Sequence, residues 1–290
     1  MVTTLPSIFV SHGSPMLALD PGSTGPFFER LGRAIDEGFG RPRAIVVVSP
    51  HTAAARPVLL GAPTHHAVHD FSGFPPELYT LRYGPAGSAE VAQRAAALLQ
   101  AAGIGFDTSC EPGLDHGIWS VLRFAWPQAD VPVLPVALAP RASPAAQWAV
   151  GAALAPLRDQ GVLLLASGSL THNLRLLQRG PQAPGFDAEA VPELPESRAF
   201  RRWVADRSAA GDRDALLDYR ARAPHAALMH PSDEHWLPFF IAAGAGGLGE
   251  ARRLHAAVTY GCLAMDAYAF GDGATRLSRA LRPPGNPAAA

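Results

Sequence analysis

Residues 44–51, AIVVVSPH, form an unbroken apolar run that ends in serine, proline and histidine, and we predict a strand over residues 44–48. Short runs rich in β-branched residues are typical of strands buried on both faces of a parallel sheet. Four other segments share this pattern, and they span residues 7–10, 131–138, 162–166 and 256–260. Helical patterns lie between the strands, over residues 26–35, 88–102, 118–125, 144–157, 195–209 and 232–243. This alternation predicts an α/β fold with a central, mostly parallel sheet covered by helices on both faces.

The domain organisation follows from length and from where the loop-forming residues lie. The chain has 290 residues, and its 28 prolines and 28 glycines are spread through the predicted loops rather than gathered in one linker. We therefore predict a single domain over residues 1–281. Residues 282–290, RPPGNPAAA, are typical of a flexible C-terminal tail.

Charge and cysteine usage exclude several classes of partner and site. The formal net charge is −1, so neither nucleic acid nor an anionic membrane surface is an expected partner. The two cysteines, Cys110 and Cys262, have no CxxC neighbour, which argues against a disulfide framework or a cysteine-based zinc site. No segment reaches the roughly 18 apolar residues of a membrane span. The N-terminus lacks the basic region of a signal peptide, so we expect a cytoplasmic location.

Three histidines directly follow predicted strands. His12 comes after the first run, His51 after the second, and His172 after the run at residues 162–166. Ligands of open α/β sheets bind beyond the carboxyl ends of the strands. Three imidazoles at such ends can therefore converge, and neutral imidazole is a ligand for Fe, Zn, Cu and Ni. The sequence predicts a metal site at this edge of the sheet.

Two further histidines belong to the same hypothesis. His235 lies in HPSDEHWLP, where Ser232 or Asp233 could cap a helix whose first turn presents Glu234 and His235. His116 stands at the entry to a helix that Asp115 could cap. From there it could stabilise an anionic oxygen, or it could simply be a solvent-contacting histidine.

Two long stretches have no periodic pattern, and each could cover a site. Residues 61–87 carry the aromatic residues Phe71, Phe74, Tyr79 and Tyr83, which either line a pocket or pin the loop to the body of the protein. Residues 176–195 could form a lid or an interface.

Six motifs occur in an order and spacing typical of one enzyme family. They are HGSP (12–15), VVVSPH (46–51), HDFSGFPPELY (69–79), LDHGIW (114–119), ASGSLTHNL (166–174) and HPSDEHWLPF (230–239). Together they resemble the class III extradiol ring-cleavage dioxygenases, in the DOPA 4,5-dioxygenase-like branch. One motif such as HGS is weak, because some metal chelatases begin in the same way, but six in order are specific.

The resemblance implies one α/β domain that opens a catechol-type ring with O2 at a mononuclear non-haem metal. It implies that His12, His51 and His235 bind the metal, and that His172 is the acid/base residue with His116 assisting. His172 is close enough in some relatives to count as a fourth ligand, and more distant relatives use a glutamate, which leaves the role of Glu234 open. Fe(II) is the expected metal, although Zn(II) often occupies such sites in crystals.

Two rival functions are compatible with the histidines alone. A zinc hydrolase would use the same cluster to activate water. A chelatase-like protein would bind and hand over an ion without catalysis. The expected partners are a small aromatic diol and O2, in a monomer or small homo-oligomer. Neither the particular catechol nor the native metal can be inferred from sequence.

Overall fold

The computed structural model describes residues 4–178 and 187–282. Its strands are β1 (Ser7–Ser11), β2 (Ala44–Ala53), β3 (Val58–Leu60), β4 (Asp107–Ser109), β5 (Val133–Leu138), β6 (Val162–Gly168), β7 (Ala251–His255), β8 (Val258–Thr259), β9 (Leu263–Ala264) and β10 (Ala267–Phe270). Within the described ranges, eight of them form one sheet in the order β4-β3-β5-β2-β6-β1-β10-β7. The central strands β5, β2, β6 and β1 are parallel, so their carboxyl ends share one edge of the sheet.

Helices cover both faces of this sheet, as the alternating pattern predicts. They are α1 (Thr24–Phe39), α2 (Ala89–Ala101), α3 (His116–Ala125), α4 (Pro144–Leu154), α5 (Pro195–Ala209), α6 (Arg213–Leu217), α7 (Tyr219–Arg222), α8 (Ala226–Met229), α9 (Leu237–Gly246) and α10 (Ala274–Ala280). Side chains alternate across β2, so Val46 and Val48 face the core beneath α2, α4, α5 and α9. Ile45 and Val47 face the second core, beneath α1, α3 and α10.

Two glycines allow α4 and α9 to approach closely. A Cβ at Gly151 would lie 2.0 Å from the carbonyl oxygen of Ile241, and one at Gly244 would lie 2.2 Å from that of Trp148. Both distances are far below van der Waals contact, so each backbone occupies the space that a side chain would need on the other helix. The close packing fixes α9 against the sheet and with it the turn that precedes α9.

The predicted strand over residues 256–260 is wrong. The sheet instead ends in two antiparallel strands, β10 and β7, and only Val258–Thr259 of the predicted range is extended, in a small hairpin with β9. β7 is an edge strand, and its Arg252 and Arg253 are exposed. Because two consecutive charged residues interrupt the apolar pattern, this strand cannot be recognised as an apolar run in the sequence.

Several predicted helices have different ends in the structure, and prolines account for two of these differences. The helix predicted over residues 232–243 begins at Leu237, because residues 231–236 form turns that place Pro238 in the first helical turn, where its missing N–H costs nothing. The helix predicted over residues 144–157 ends at Leu154 and continues as a 3-10 turn, Ala155–Gln160. Pro156 cannot donate an α-helical hydrogen bond, which accounts for the change.

Some predictions fall on residues outside the described ranges. The tail predicted over residues 282–290 lies outside them except for Arg282, and the stretch 176–195 is described only at 176–178 and 187–195. Among the described residues, no helix is long and apolar enough to cross a membrane.

The glycine contact between α4 and α9 gives a stability prediction. We expect Gly151→Ala to lower the free energy of unfolding by about 1–3 kcal/mol, because the new methyl group overlaps the backbone of α9. Gly38→Ala is the matched control, since a Cβ at this α1 position meets nothing within 4 Å. It should raise the free energy of unfolding, by up to about 1 kcal/mol, through helix propensity. Urea denaturation measures both changes, and equal effects of the two variants would contradict the close-packing argument.

Candidate metal centre

Four histidines from separate parts of the chain meet beyond the carboxyl edge of the parallel strands. They are His12 after β1, His51 in the last part of β2, His116 at the start of α3, and His235 in the turn before α9. Nε2 of His51 lies 3.2 Å from Nε2 of His12 and 3.3 Å from Nε2 of His235. Two imidazole nitrogens that bind one ion at about 2.0–2.1 Å lie roughly 3 Å apart. Both distances at His51 are therefore short enough for ligands that share one ion, and they also fit N–H···N contacts. Ligand atoms of His12, His51 and His116 likewise lie within 4.8 Å of one another.

The backbone of β2 leaves the sheet where His51 lies. Pairing with β5 runs through Ser49 and resumes only at Ala53. Pro50 has no N–H to donate to a neighbouring strand, so the regular ladder cannot continue through it. Such irregularities redirect side chains, and here His51 is directed toward the other histidines.

A serine fixes the orientation of His12. The Ser167 hydroxyl donates to the carbonyl of Gly117 at 2.5 Å, and it lies 2.9 Å from Nδ1 of His12. A hydroxyl has one proton, so with that proton directed at Gly117 it must accept from Nδ1–H. The Nε2 atom of His12 therefore carries the lone pair that faces the cluster. Gly117 is required here, because a Cβ would lie 2.7 Å from the Ser49 hydroxyl.

Glu234 orients its neighbour His235. Oε1 of Glu234 lies 3.3 Å from Nδ1 of His235 and accepts a 3.0 Å hydrogen bond from Ser232. The hydrogen bond with His235 is the largest of the effects that lower the pKa of Glu234 to about 2, so this group is a carboxylate at neutral pH. A histidine that binds a metal commonly donates its other ring N–H to a carboxylate. Ligand atoms of His172, Glu234 and His235 also lie within 4.8 Å of one another, but Oε1 of Glu234 contacts Nδ1 of His235, whereas Nε2 of His235 faces His51.

Asp70 contacts His116 and faces His51. Its two carboxylate oxygens lie 3.1 and 3.0 Å from Nδ1 of His116, and one of them also accepts the backbone N–H of His116 at 2.9 Å. Its Oδ2 lies 3.5 Å from Nδ1 of His51. Burial acts to raise the pKa of Asp70, but these contacts with His116 and His51 outweigh it, and the net shift is downward.

The predicted cap of α3 has a different role. Asp115 is the residue before the helix, but its carboxylate accepts from the hydroxyls of Ser49 at 2.7 Å and Thr52 at 2.6 Å instead of capping α3. Burial raises the pKa of Asp115, and the two hydroxyl contacts oppose that shift. Since Ser49 and Thr52 flank Pro50 and His51, Asp115 ties the end of β2 to the start of α3. The cap itself comes from Asp70.

His172 stacks on His235 and is half-buried. The two ring centroids are 3.5 Å apart and the ring planes differ by 8°. The backbone N–H of His172 donates to the carbonyl of Met229, which holds the two segments together. The lone pair of an imidazole nitrogen lies in its ring plane, so two parallel stacked rings cannot both direct one at the same ion with good geometry. The stacking therefore favours His172 as a neighbour of the ion over a ligand to it.

Burial keeps the imidazoles of His12, His51, His172 and His235 neutral in the metal-free protein. Removal from water, followed by repulsion from the neighbouring histidines, lowers the pKa of His12 well below its usual value and that of His51 to about 3. Burial likewise lowers the pKa of His235, and lowers that of His172 to about 3. Neutral imidazole is the form that binds metal, so no proton has to leave before an ion enters near pH 7.

All five histidines singled out from the sequence lie in this one region. The prediction that Ser232 or Asp233 opens a helix bearing His235 is wrong, since His235 lies in a turn before α9. The sequence did not reveal the roles of Asp70 and Ser167, nor the hydrogen bonds from the Ser49 and Thr52 hydroxyls to Asp115. Asp70 stands inside the motif HDFSGF, beside His69, but nothing in the pattern shows which histidine it contacts.

The fold and the cluster define a histidine-based metalloprotein of the α/β class. A family profile described as the catalytic LigB subunit of aromatic ring-opening dioxygenase matches residues 6–271. The chain therefore belongs to this family, in the class III extradiol ring-cleavage branch.

Several individual proteins are similar over most of the chain. A protein named 4,5-DOPA dioxygenase extradiol from Beta vulgaris is 34% identical over 269 residues, which cover 91% of this chain and 96% of the relative. A protein of the same name from Escherichia coli K12 is 33% identical, over 84% of this chain and 86% of the relative. The solved structure of uncharacterized protein JW3007 from Escherichia coli K12 has a TM-score of 0.73 at 26% identity, covering 92% of this chain and all of that one. This enzyme is thus an extradiol dioxygenase.

The contact between Ser167 and His12 gives a prediction about metal affinity. We expect Ser167→Ala to weaken binding of a divalent ion by about 10–100-fold, because Nδ1 of His12 loses the acceptor that fixes its tautomer. Titration with Co(II), followed by its visible absorption, measures the affinity. Ser208→Ala, which removes a buried hydroxyl from α5, is the control and should leave the affinity unchanged. Wild-type affinity in Ser167→Ala would rule out this role for the hydroxyl.

Proposed function

We propose that this enzyme opens a catechol ring with O2 at a single Fe(II) ion held by His12, His51 and His235. The observation that carries the proposal is the arrangement of three Nε2 atoms, in which that of His51 lies 3.2 Å and 3.3 Å from the other two. The Nδ1 atoms of His12 and His235 contact the oxygen acceptors of Ser167 and Glu234. Nδ1 of His51 faces the Asp70 carboxylate at 3.5 Å. Fe(II) is favoured over Zn(II) because ring opening by O2 needs a redox-active ion, and Zn(II) has no redox chemistry.

Glu234 supports the ligand set without joining it in this proposal. Its contact with Nδ1 of His235 occupies the carboxylate, whereas Nε2 of His235 already faces His51. The arrangement matches the carboxylate–histidine pairs that orient metal ligands in other sites.

Substitutions at these two neighbours should therefore behave differently. We expect His235→Ala to abolish stoichiometric metal binding, since one of three ligands is lost. Glu234→Gln should keep one ion per chain with affinity lower by about 10–100-fold, because the amide can still accept from Nδ1–H. Metal content after dialysis against Fe(II) under nitrogen gives the stoichiometry. Loss of the ion in Glu234→Gln together with its retention in His235→Ala would assign the ligand to the carboxylate.

The open side of the cluster indicates where a substrate enters. The side chains of His51 and Asp70 are 23% and 22% exposed, whereas those of His116 and His235 are 7% and 8% exposed. His172 is half-buried and stacks on His235. A small planar diol that enters here meets His51 first, with His172 and His116 within reach.

The residues around this opening supply proton transfer and charge stabilisation. Fe(II), which His12, His51 and His235 would hold, would supply Lewis-acid and electron-transfer chemistry for the reaction of the catechol with O2. His172 accepts a proton from a catechol hydroxyl and returns it as the ring opens. His116, whose Nδ1 donates to Asp70, directs its Nε2 side toward the cluster, where protonation would let it stabilise a developing oxyanion. Both atoms of O2 end in the product, which forms by cleavage between a hydroxylated carbon and its non-hydroxylated neighbour.

The names of the relatives suggest which catechol to test first. Several are named 4,5-DOPA dioxygenase extradiol. We therefore propose a DOPA-like catechol, with caffeate and catechol itself as comparisons that lack the amino-acid group. A cytoplasmic location and a monomeric or small homo-oligomeric state remain predictions.

The activity and the role of His172 can be tested together. Enzyme loaded anaerobically with Fe(II) should consume one O2 per catechol and form a yellow, ring-opened product. We expect His172→Ala to bind the catechol with similar affinity but turn over about 10²–10⁴-fold more slowly, because the proton acceptor is lost. His66→Ala, at an exposed histidine outside the cluster, serves as the control.

The outcomes separate the two claims. No O2 uptake by the Fe(II)-loaded wild type with any of the three catechols would contradict the proposed function. Full turnover by His172→Ala would remove only the proposed role of His172.

A further inference from the structure

One carboxylate lies between two of the clustered histidines. Asp70 uses both oxygens on Nδ1 of His116, at 3.1 and 3.0 Å, and its Oδ2 lies 3.5 Å from Nδ1 of His51. The first contact is a hydrogen bond. The second is slightly long for one but close enough for attraction between the carboxylate and an N–H dipole.

The protonation pattern of His116 follows from this contact. A carboxylate only accepts hydrogen bonds, so Nδ1 of His116 must carry the proton. In the neutral ring Nε2 then holds the lone pair, on the side of the ring away from Asp70. The same reasoning applies to His51 once its Nε2 faces an ion, because Nδ1–H then points at Asp70.

The backbone fixes the position of Asp70. The preceding residues pair with the segment before α3, through hydrogen bonds from Val68 N–H to the Leu114 carbonyl and from Leu114 N–H to the His66 carbonyl, at 2.8 and 2.9 Å. The indole N–H of Trp119 donates to the Val68 carbonyl at 2.9 Å. The carboxylate also accepts the first backbone N–H of α3, where the helix dipole stabilises an anion. A position held at so many points leaves the carboxylate little freedom to turn away.

Capping of α3 alone does not explain this residue. Asp115 already stands at the position that normally caps the helix, yet its carboxylate is turned to Ser49 and Thr52. Asp70 comes from a distant segment, and capping would require only its contact with the backbone N–H of His116. The further contacts go to two imidazoles of the cluster. Phe71, the next residue, packs edge-on against His116 with ring centroids 5.7 Å apart, so the segment holds that imidazole by two successive side chains.

We propose that Asp70 is a positioning residue that holds His116 and the metal ligand His51 in the tautomer with the proton on Nδ1, so that an unprotonated Nε2 faces the cluster. This inference rests on the proposed ligand set for His51, whereas the part that concerns His116 stands on the hydrogen bonds alone. One carboxylate thereby links the imidazole that binds the ion to the imidazole that faces the substrate. The segment carrying Asp70 is then part of the active site and more than a cover for it.

The test replaces Asp70 by asparagine and records histidine tautomers by two-bond 15N–1H correlation spectra of the metal-free protein. In the wild type, His116 should show Nδ1–H, assigned by loss of its signals in His116→Gln. In Asp70→Asn, the amide has one acceptor oxygen and a competing NH2 donor, so we expect His116 to populate the Nε2–H form. Co(II) affinity should fall by about 10–100-fold, and Asp70→Glu should recover part of it because the carboxylate is restored.

The control is Glu77→Gln, which removes the same charge from an exposed position on the same segment. It should change neither the tautomers nor the Co(II) affinity. Unchanged tautomer and Co(II) affinity in Asp70→Asn, whatever happens to turnover, would overturn the proposal. Absence of Co(II) binding by the wild type would instead contradict the proposed metal site, so the two failures are distinguishable.

Discussion

A neutral imidazole has two ring nitrogens and only one proton, and the partner of the outer nitrogen decides which of them carries it. Crowding several imidazoles at one buried edge of a sheet is possible only if their outer N–H groups find acceptors, since a buried unpaired donor costs about 1–3 kcal/mol. Ser167, Glu234 and Asp70 meet this requirement for His12, His235 and His116. The Nε2 atoms of these three histidines are therefore unprotonated, and their lone pairs face the cluster.

The sheet supplies the positions that these contacts refine. Adjacent parallel strands β1, β2 and β6 end at one edge, which brings His12, His51 and Ser167 within a few ångströms although they are far apart in sequence. Pro50 interrupts the pairing of β2 with β5 directly before His51, where the regular ladder ends. Small residues complete the arrangement, since a side chain at Gly117 would occupy the space of Ser49 and His12.

The sequence allows much of the fold and the ligand-type residues to be predicted. Buried parallel strands are continuous apolar runs, so the strand before His12 and the strand before His51 are visible, and their carboxyl ends place both histidines. The edge strand with Arg252 and Arg253 is not visible, because one-sided burial removes the apolar pattern. The acceptor of each histidine is equally hidden. Asp70 and Ser167 lie 46 and 155 residues from their partners, and no local spacing encodes a contact over that distance.

The order in which the chain is made also limits when the cluster can exist. His51 and His235 are 184 residues apart, and His235 is held by a turn that depends on α9 packing against the sheet. A nascent chain leaving the ribosome therefore carries its first two clustered histidines long before the last one is available. The four histidines of the cluster can meet only after the chain has been synthesised past His235 and α9 has packed against the sheet, so an ion held by the proposed ligands gains its last one late in folding. An ion that binds only the folded state raises the free energy of unfolding, so occupancy of the metal site and stability of the fold are linked.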